Sequence, residues 1–195
     1  MTRPSRAPGH FTMKRAILTA ITVLVALAAA PAHASEAPLT VLLAGGVEVD
    51  TIEIGLSPDG RSYLIDSAVP LEVGGSICTH PEEHPNELVC EAVRIGGFEV
   101  NAGGGDDSVI VAAEVPVAVT LRGGPGDDRL VGGASSDKLI GGSGDDTLIG
   151  RALHDALFGG PGDDRLFGGS GSDVLNGGPG EDELLGGSGN NHLMQ

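Results

Sequence analysis

The chain has no tryptophan, one tyrosine and four phenylalanines among its 195 residues, so it lacks the aromatic bulk that fills most globular cores. Positive charge is equally scarce: 11 Lys and Arg face 27 Asp and Glu, a formal net charge of −16, which makes nucleic acid and anionic membrane surfaces poor partners. There are only two cysteines and one long apolar run. What is abundant is glycine, with 33 copies. Few aromatics and high net charge are also the composition of a disordered chain, and only the placement of the acids argues otherwise.

The apolar run lies near the start. Met13-Lys14-Arg15 is a basic opening, Ala16 to Ala30 is uninterrupted and small, and Ala32-His33-Ala34 forms an A-x-A signal before Ser35. This pattern predicts a signal peptide over residues 1–34 cleaved after Ala34, with Met13 as an alternative start. About 20 apolar residues are needed to cross a bilayer, and this run is shorter and ends at Pro31, so no membrane span is expected after cleavage. The expected location is secreted and extracellular, with cell-surface association as a variant. Loss of Arg3, Arg6, Lys14 and Arg15 leaves a net charge of 7 − 27 = −20. Cys78 and Cys90 fall in the exported part, where oxidation is permitted, and are expected to pair. A loop this small contributes about 3 kcal/mol in the chain-entropy picture.

From Gly123 the sequence falls into a period of nine. The units are GGPGDDRLV (123–131), GGASSDKLI (132–140), GGSGDDTLI (141–149), GRALHDALF (150–158), GGPGDDRLF (159–167), GGSGSDVLN (168–176), GGPGEDELL (177–185) and GGSGNNHLM (186–194). Leucine holds the eighth position in every unit: Leu130, Leu139, Leu148, Leu157, Leu166, Leu175, Leu184 and Leu193. Aspartate holds the sixth in all but the last, which has Asn191. A partial unit, Gly103-Gly104-Gly105-Asp106-Asp107-Ser108-Val109-Ile110, precedes them, separated by the strand-like stretch Val111 to Arg122.

These units resemble the haemolysin-type calcium-binding repeat of the repeats-in-toxin family, G-G-x-G-x-D-x-U-x with U a large apolar residue. The resemblance covers residues 123–194 and implies an all-β protein: a right-handed parallel β-roll solenoid over residues 123–195, binding Ca²⁺ and preceded by a small β-rich region over 35–122. The residue chemistry agrees with that implication. Glycines allow a sharp six-residue turn, the remaining three residues form a short strand with its middle leucine pointing inward, and two units make one coil. Coils stack at about 4.8 Å, which places each sixth-position aspartate above another eighteen residues away. Bare carboxylates at that spacing repel by about 1 kcal/mol in water and about 3 to 4 at an effective dielectric near 20. Ca²⁺ takes six to eight oxygen ligands, and carboxylates with backbone carbonyls from two turns supply them, whereas Mg²⁺ demands a more compact, water-retaining shell.

Turns alternate sides, so the two edges of the roll differ. On the first edge the expected ligands are Asp127, Asp128, Asp145, Asp146, Asp163, Asp164 and Asp182, with Glu181 beside the last. The turn glycines Gly124, Gly126, Gly142, Gly144, Gly160, Gly162, Gly178 and Gly180 set the backbone there, and three full sites are expected. On the second edge only the turn with Asp173 keeps the whole pattern. Ser135 replaces one glycine, Arg151 and Leu153 replace two, and Asn191 replaces an aspartate. Arg151 and His154 are placed to put a cation where Ca²⁺ would sit, so Asp137 and Asp155 are expected to bind weakly, as are Asp106 and Asp107. Asn190 and Asn191 fit a terminal cap or decay of the end repeat.

Residues 39–122 read as short strands: Leu39 to Leu43, Val47 to Leu56, Ser62 to Ile65, Leu88 to Arg94 and Phe98 to Val100. His80 and His84 have zinc-like spacing, but Pro81 and Pro85 oppose the helix it needs, so a solvated loop inside the disulfide is expected. The region has neither H-E-x-x-H nor G-x-S-x-G. A non-catalytic extracellular binding or structural module is therefore expected, with calcium ions as the partner and self-association or a cell-surface partner open. The alternatives are a small carbohydrate-active enzyme using acids such as Glu91 or Glu99, or a surface matrix or adhesion protein.

Overall fold

The computed structural model describes residues 21–26, 39–46, 50–67, 71–74, 78–79, 86–92 and 95–195. The expected cleavage site, His80 and His84 lie outside the described residues.

Among the described residues the strands form two nine-stranded sheets and no α-helix occurs. One sheet contains β1 (Ile21–Ala26), β2 (Leu39–Ala44), β5 (Leu71–Gly74), β8 (Ile95–Asn101), β10 (Ala118–Pro125), β12 (Lys138–Ser143), β14 (Ala156–Phe158), β16 (Val174–Asn176) and β18 (His192–Met194). The other contains β3 (Thr51–Leu56), β4 (Ser62–Ser67), β6 (Cys78–Thr79), β7 (Glu87–Glu91), β9 (Ser108–Val111), β11 (Arg129–Val131), β13 (Thr147–Ala152), β15 (Arg165–Ser170) and β17 (Glu183–Ser188). The chain passes from sheet to sheet at every repeat turn, so each sheet grows by one parallel strand per coil.

Register follows the repeat. Leu130 pairs with Leu148, Leu166 and Leu184 in turn along one sheet, and Leu121, Leu139, Leu157, Leu175 and Leu193 do so along the other. The leucines from 130 to 175 are fully buried between the sheets. Burying one such side chain contributes about 1.5–3 kcal/mol, and this single-file core replaces the missing aromatics. Position nine faces outward by the period-two rule, except that Val131 is buried.

The coils do not begin at Gly123. Val100 pairs with Leu121, and Val109 with Leu130, so residues 103–122 form a coil of their own. The stretch 111–122 does not interrupt the solenoid: it supplies a second-edge turn and β10. Below it, Leu43 pairs with Val100 and Ile52 with Val109, adding one further level. An antiparallel extension, β3-β4-β7-β6, finishes one sheet and carries the Cys78–Cys90 disulfide across directly paired residues. Tyr63 and Phe98 meet edge to face at 5.0 Å in this lower end. The expected strand from Val47 is seen from Thr51, with Asp50 outside it and hydrogen-bonded to Asp107.

The apolar segment of the expected leader supplies β1, antiparallel to β2 and parallel to β5.

Candidate metal centre

The turns of the first edge, residues 123–128, 141–146, 159–164 and 177–182, stack in register with 102–107 beneath them. Each sixth-position aspartate folds under its own turn: a Cβ added at Gly141 would lie 2.1 Å from Asp146 Oδ2. The other oxygen, Oδ1, accepts a backbone N–H from the coil below. Asp107 N–H donates to Asp128 Oδ1 at 2.8 Å, Asp128 N–H to Asp146 at 2.8 Å, Asp146 N–H to Asp164 at 2.8 Å and Asp164 N–H to Asp182 at 3.1 Å. The expected stacking of carboxylates is thus a hydrogen-bonded ladder.

The fifth-position acids form a second ladder running the opposite way on the solvent side. Asp127 N–H donates to Asp106 at 3.0 Å, Asp145 N–H to Asp127 at 2.8 Å, and Asp163 N–H and Glu181 N–H to the acid below each at 2.9 Å. Asp106, Asp127, Asp145 and Asp163 are exposed, while Asp107, Asp128, Asp146 and Asp164 are buried.

Buried carboxylates need partners on both oxygens. Here Oδ2 of Asp107, Asp128, Asp146, Asp164 and Asp182 on the first edge, and of Asp155 and Asp173 on the second, has none within the protein. Burial first, and then neighbouring carboxylates, push Asp128 up to about 6 and Asp146 to about 7, against the lowering effect of the ladder hydrogen bonds. Asp155 is likewise pushed to about 7, and Asp107 and Asp164 rise for the same leading reason. An array of unpartnered, desolvated carboxylate oxygens fits the oxygen shell of a hard cation.

The turn backbone explains why these oxygens stay unpaired. Gly142 has φ +137°, and a Cβ there would lie 1.8 Å from Gly124 O. In this conformation the second-position N–H points to the next coil, as Gly142 N–H does to Gly159 O at 2.9 Å, and cannot reach the carboxylate of its own turn. Gly133 lacks positive φ, and its N–H donates to Asp137 Oδ2 at 2.7 Å. Asp137 is therefore self-satisfied, unlike Asp155 and Asp173. Among the described residues no three His, Cys, Asp or Glu side chains converge on one point. A cation here would take carboxylate oxygens from stacked turns and complete its shell with backbone carbonyls.

Asp50 was not anticipated. Its N–H donates to Asp107 Oδ1 at 2.7 Å and its own Oδ2 accepts Gly46 N–H at 3.0 Å, so it is the bottom rung of the first-edge ladder. The signal was present in the sequence: Gly45-Gly46 opens the spacing of a repeat unit, Asp50 falls at its sixth position and Ile52 at its eighth. A gap of 57 residues to Asp107 hid it from a search at period nine.

On the second edge His154 belongs to the outer ladder: its Nδ1 accepts Ser172 N–H at 2.8 Å. Arg151 turns inward. Glu99 is paired with Arg122 at 2.9 Å on one sheet, while Glu91 lies on the other, beside an apolar hollow with Leu56, Tyr63 and Ile95.

A parallel β-roll whose inter-turn gaps are lined by orphaned carboxylates is a divalent-cation-binding solenoid. Residues 120–157 and 158–193 match the family model of the RTX calcium-binding nonapeptide repeat, and this part of the chain belongs to that repeat family. Calcium is accordingly its ion. No curated protein and no solved structure matches the chain.

Proposed function

We propose that the protein is an exported, non-catalytic calcium-binding module whose roll tightens as Ca²⁺ fills the gaps between stacked turns. The unpaired Oδ2 column at Asp128, Asp146, Asp164 and Asp182 carries this reading. These four, with turn carbonyls of units containing Gly124, Gly126, Gly142, Gly144, Gly160, Gly162, Gly178 and Gly180, hold the first-edge ions, and the outer acids Asp127, Asp145 and Asp163 add negative field. Asp173 and Asp155 serve the upper second edge, and Asp107 extends the first edge downward. The leader pattern through Ala34 and the disulfide support an oxidising, extracellular setting, where calcium modules work at about 10⁻⁴–10⁻³ M. Among the described residues no helix is long and apolar enough to cross a membrane.

The test is calorimetric titration of the chain from Ser35 with Ca²⁺, alongside far-UV circular dichroism in chelator and in millimolar calcium. Saturable binding of several ions with a gain of β signal is expected. Identical spectra and no heat would remove the reading. Glu91 and Glu99, the acids named for the carbohydrate-active alternative, occupy different sheets, which lends that reading no support.

A second reading, a self-associating surface protein, draws on the open upper end. Leu185 is 51% and Leu193 48% exposed there, on β17 and β18, which among the described residues are paired on one side only. A calcium-dependent increase in mass on light scattering is expected if it holds, and a strict monomer with and without calcium would remove it.

A further inference from the structure

We propose that the Arg151 guanidinium stands in for a metal ion on the second edge, closing the lower inter-turn gap without calcium. The inference rests on the calcium reading of the roll and concerns which gaps the ion does not enter.

Arg151 occupies the second position of its turn, where six of the other seven repeat units keep a glycine at positive φ. It retains that conformation, with φ 86°, and Leu153 two residues later has φ 70°. These are the non-glycine residues with positive φ among the described residues, so this turn keeps the repeat's backbone after losing the glycines that make it easy. The side chain does not lie on the surface. Nη1 donates to Gly132 O at 2.7 Å in the coil below and also to Val111 O in the coil below that. One half-buried cation therefore holds oxygens from two stacked turns at once.

Those carbonyls have a definite place in the repeat. On the first edge a first-position carbonyl accepts the second-position N–H of the preceding coil, as Gly159 O and Gly177 O do at 2.9 and 2.8 Å. The turn at 112–117 has no matching repeat unit, and Gly132 O is bonded by the guanidinium instead. The neighbouring carboxylate fits the same picture. Asp137 has both oxygens filled, Oδ1 by Val119 N–H at 2.9 Å and Oδ2 by Gly133 N–H at 2.7 Å, while Asp155 and Asp173 above it each keep a bare Oδ2. Thus the gap that contains the arginine is also the gap whose carboxylate presents no free oxygen. Positive charge, bridged carbonyls and a satisfied aspartate coincide at one level of one edge.

The consequence is a roll with unequal edges: lower second-edge turns closed permanently, and first-edge and upper turns waiting for the ion. Substituting Arg151→Gly restores the repeat glycine and relieves positive φ, and Arg151→Asn, whose side chain tolerates positive φ, removes the charge in a second way. Hydrogen exchange by mass spectrometry in chelator and calcium stoichiometry by calorimetry are the readouts. In chelator, the wild-type amides of residues 132–137 should exchange at least tenfold more slowly than those of 177–182, and both variants should lose that difference. In saturating calcium Arg151→Gly should regain protection and bind one more ion than wild type. Wild-type turns 132–137 that exchange as fast as 177–182 in chelator, or variants matching wild type in both protection and stoichiometry, would overturn the proposal. If the wild type binds no calcium the functional reading fails by itself, and the exchange comparison in chelator still reports on Arg151.

Discussion

Asp146 shows how one residue both builds the roll and keeps it incomplete. Its Oδ1 holds a ladder hydrogen bond and its Oδ2 is buried without a partner. The last turn shows what an amide does at this position: Asn191 Oδ1 still accepts Asp173 N–H at 2.9 Å, and its Nδ2 donates to Gly187 O at 3.2 Å. Asp146→Asn should therefore keep the ladder, raise order in chelator and lower the number of calcium ions bound, as circular dichroism and calorimetry will show. Protonation is a milder form of the same change. Asp128, Asp146 and Asp155 have folded values of about 6 to 7, above the ordinary aspartate value near 3.9. Their contribution to metal-free stability is complete below that ordinary value and disappears as pH rises through 6 to 7. Metal-free protein should gain β signal and melting temperature on going from pH 8 to pH 5, while calcium affinity falls over the same interval because the ion must displace protons.

Strands of three to six residues have little independent stability, so each depends on its neighbours above and below. Leu148 is fully buried near the start of β13, and Leu148→Ala should cost about 2–5 kcal/mol. Because folding and ion binding are linked, its calcium midpoint should shift to higher concentration without a change in the final number of ions. Gly142→Ala acts differently, since its Cβ would strike Gly124 O at 1.8 Å with φ at +137°. That variant should lose ions from the gaps flanking its turn even at saturating calcium. The antiparallel extension is independent of both. Replacing Cys78 and Cys90 by serine should destabilise β6 and β7, by about 3 kcal/mol in the chain-entropy picture, and leave calcium stoichiometry unchanged.

At the scale of the molecule the two ends are unlike. Among the described residues the lower end carries β4, β6 and β7 and two packed rings, whereas Leu185 and Leu193 are exposed at the other end. Solenoids of this kind fold by propagation between neighbours, so order should spread upward from the lower end as calcium is added. Hydrogen exchange at stepwise calcium concentrations should show residues 95–131 protected before residues 177–194, and simultaneous protection would contradict the polarity. A chain starting at Ser35 lacks β1 but keeps β8 and β9, on which the repeats are founded. It should retain the full calcium-induced β signal.

The period of nine by itself determined the roll, the buried leucine file, the alternation of edges and calcium as the ion, because each depends on a local rule repeated in phase. The same local pattern pointed to a defective second edge at Arg151. Only the tertiary structure decided that Asp50 joins the first-edge ladder and that residues 111–122 complete a coil, since those placements depend on pairings across 57 and 21 residues. It also separated Asp137 from Asp155, two aspartates alike in sequence. Whether the Asp137 carboxylate is filled is set by the φ of the glycine four residues before it, and the carbonyls beside it are bridged by Arg151 from the coil above; a sequence pattern states neither.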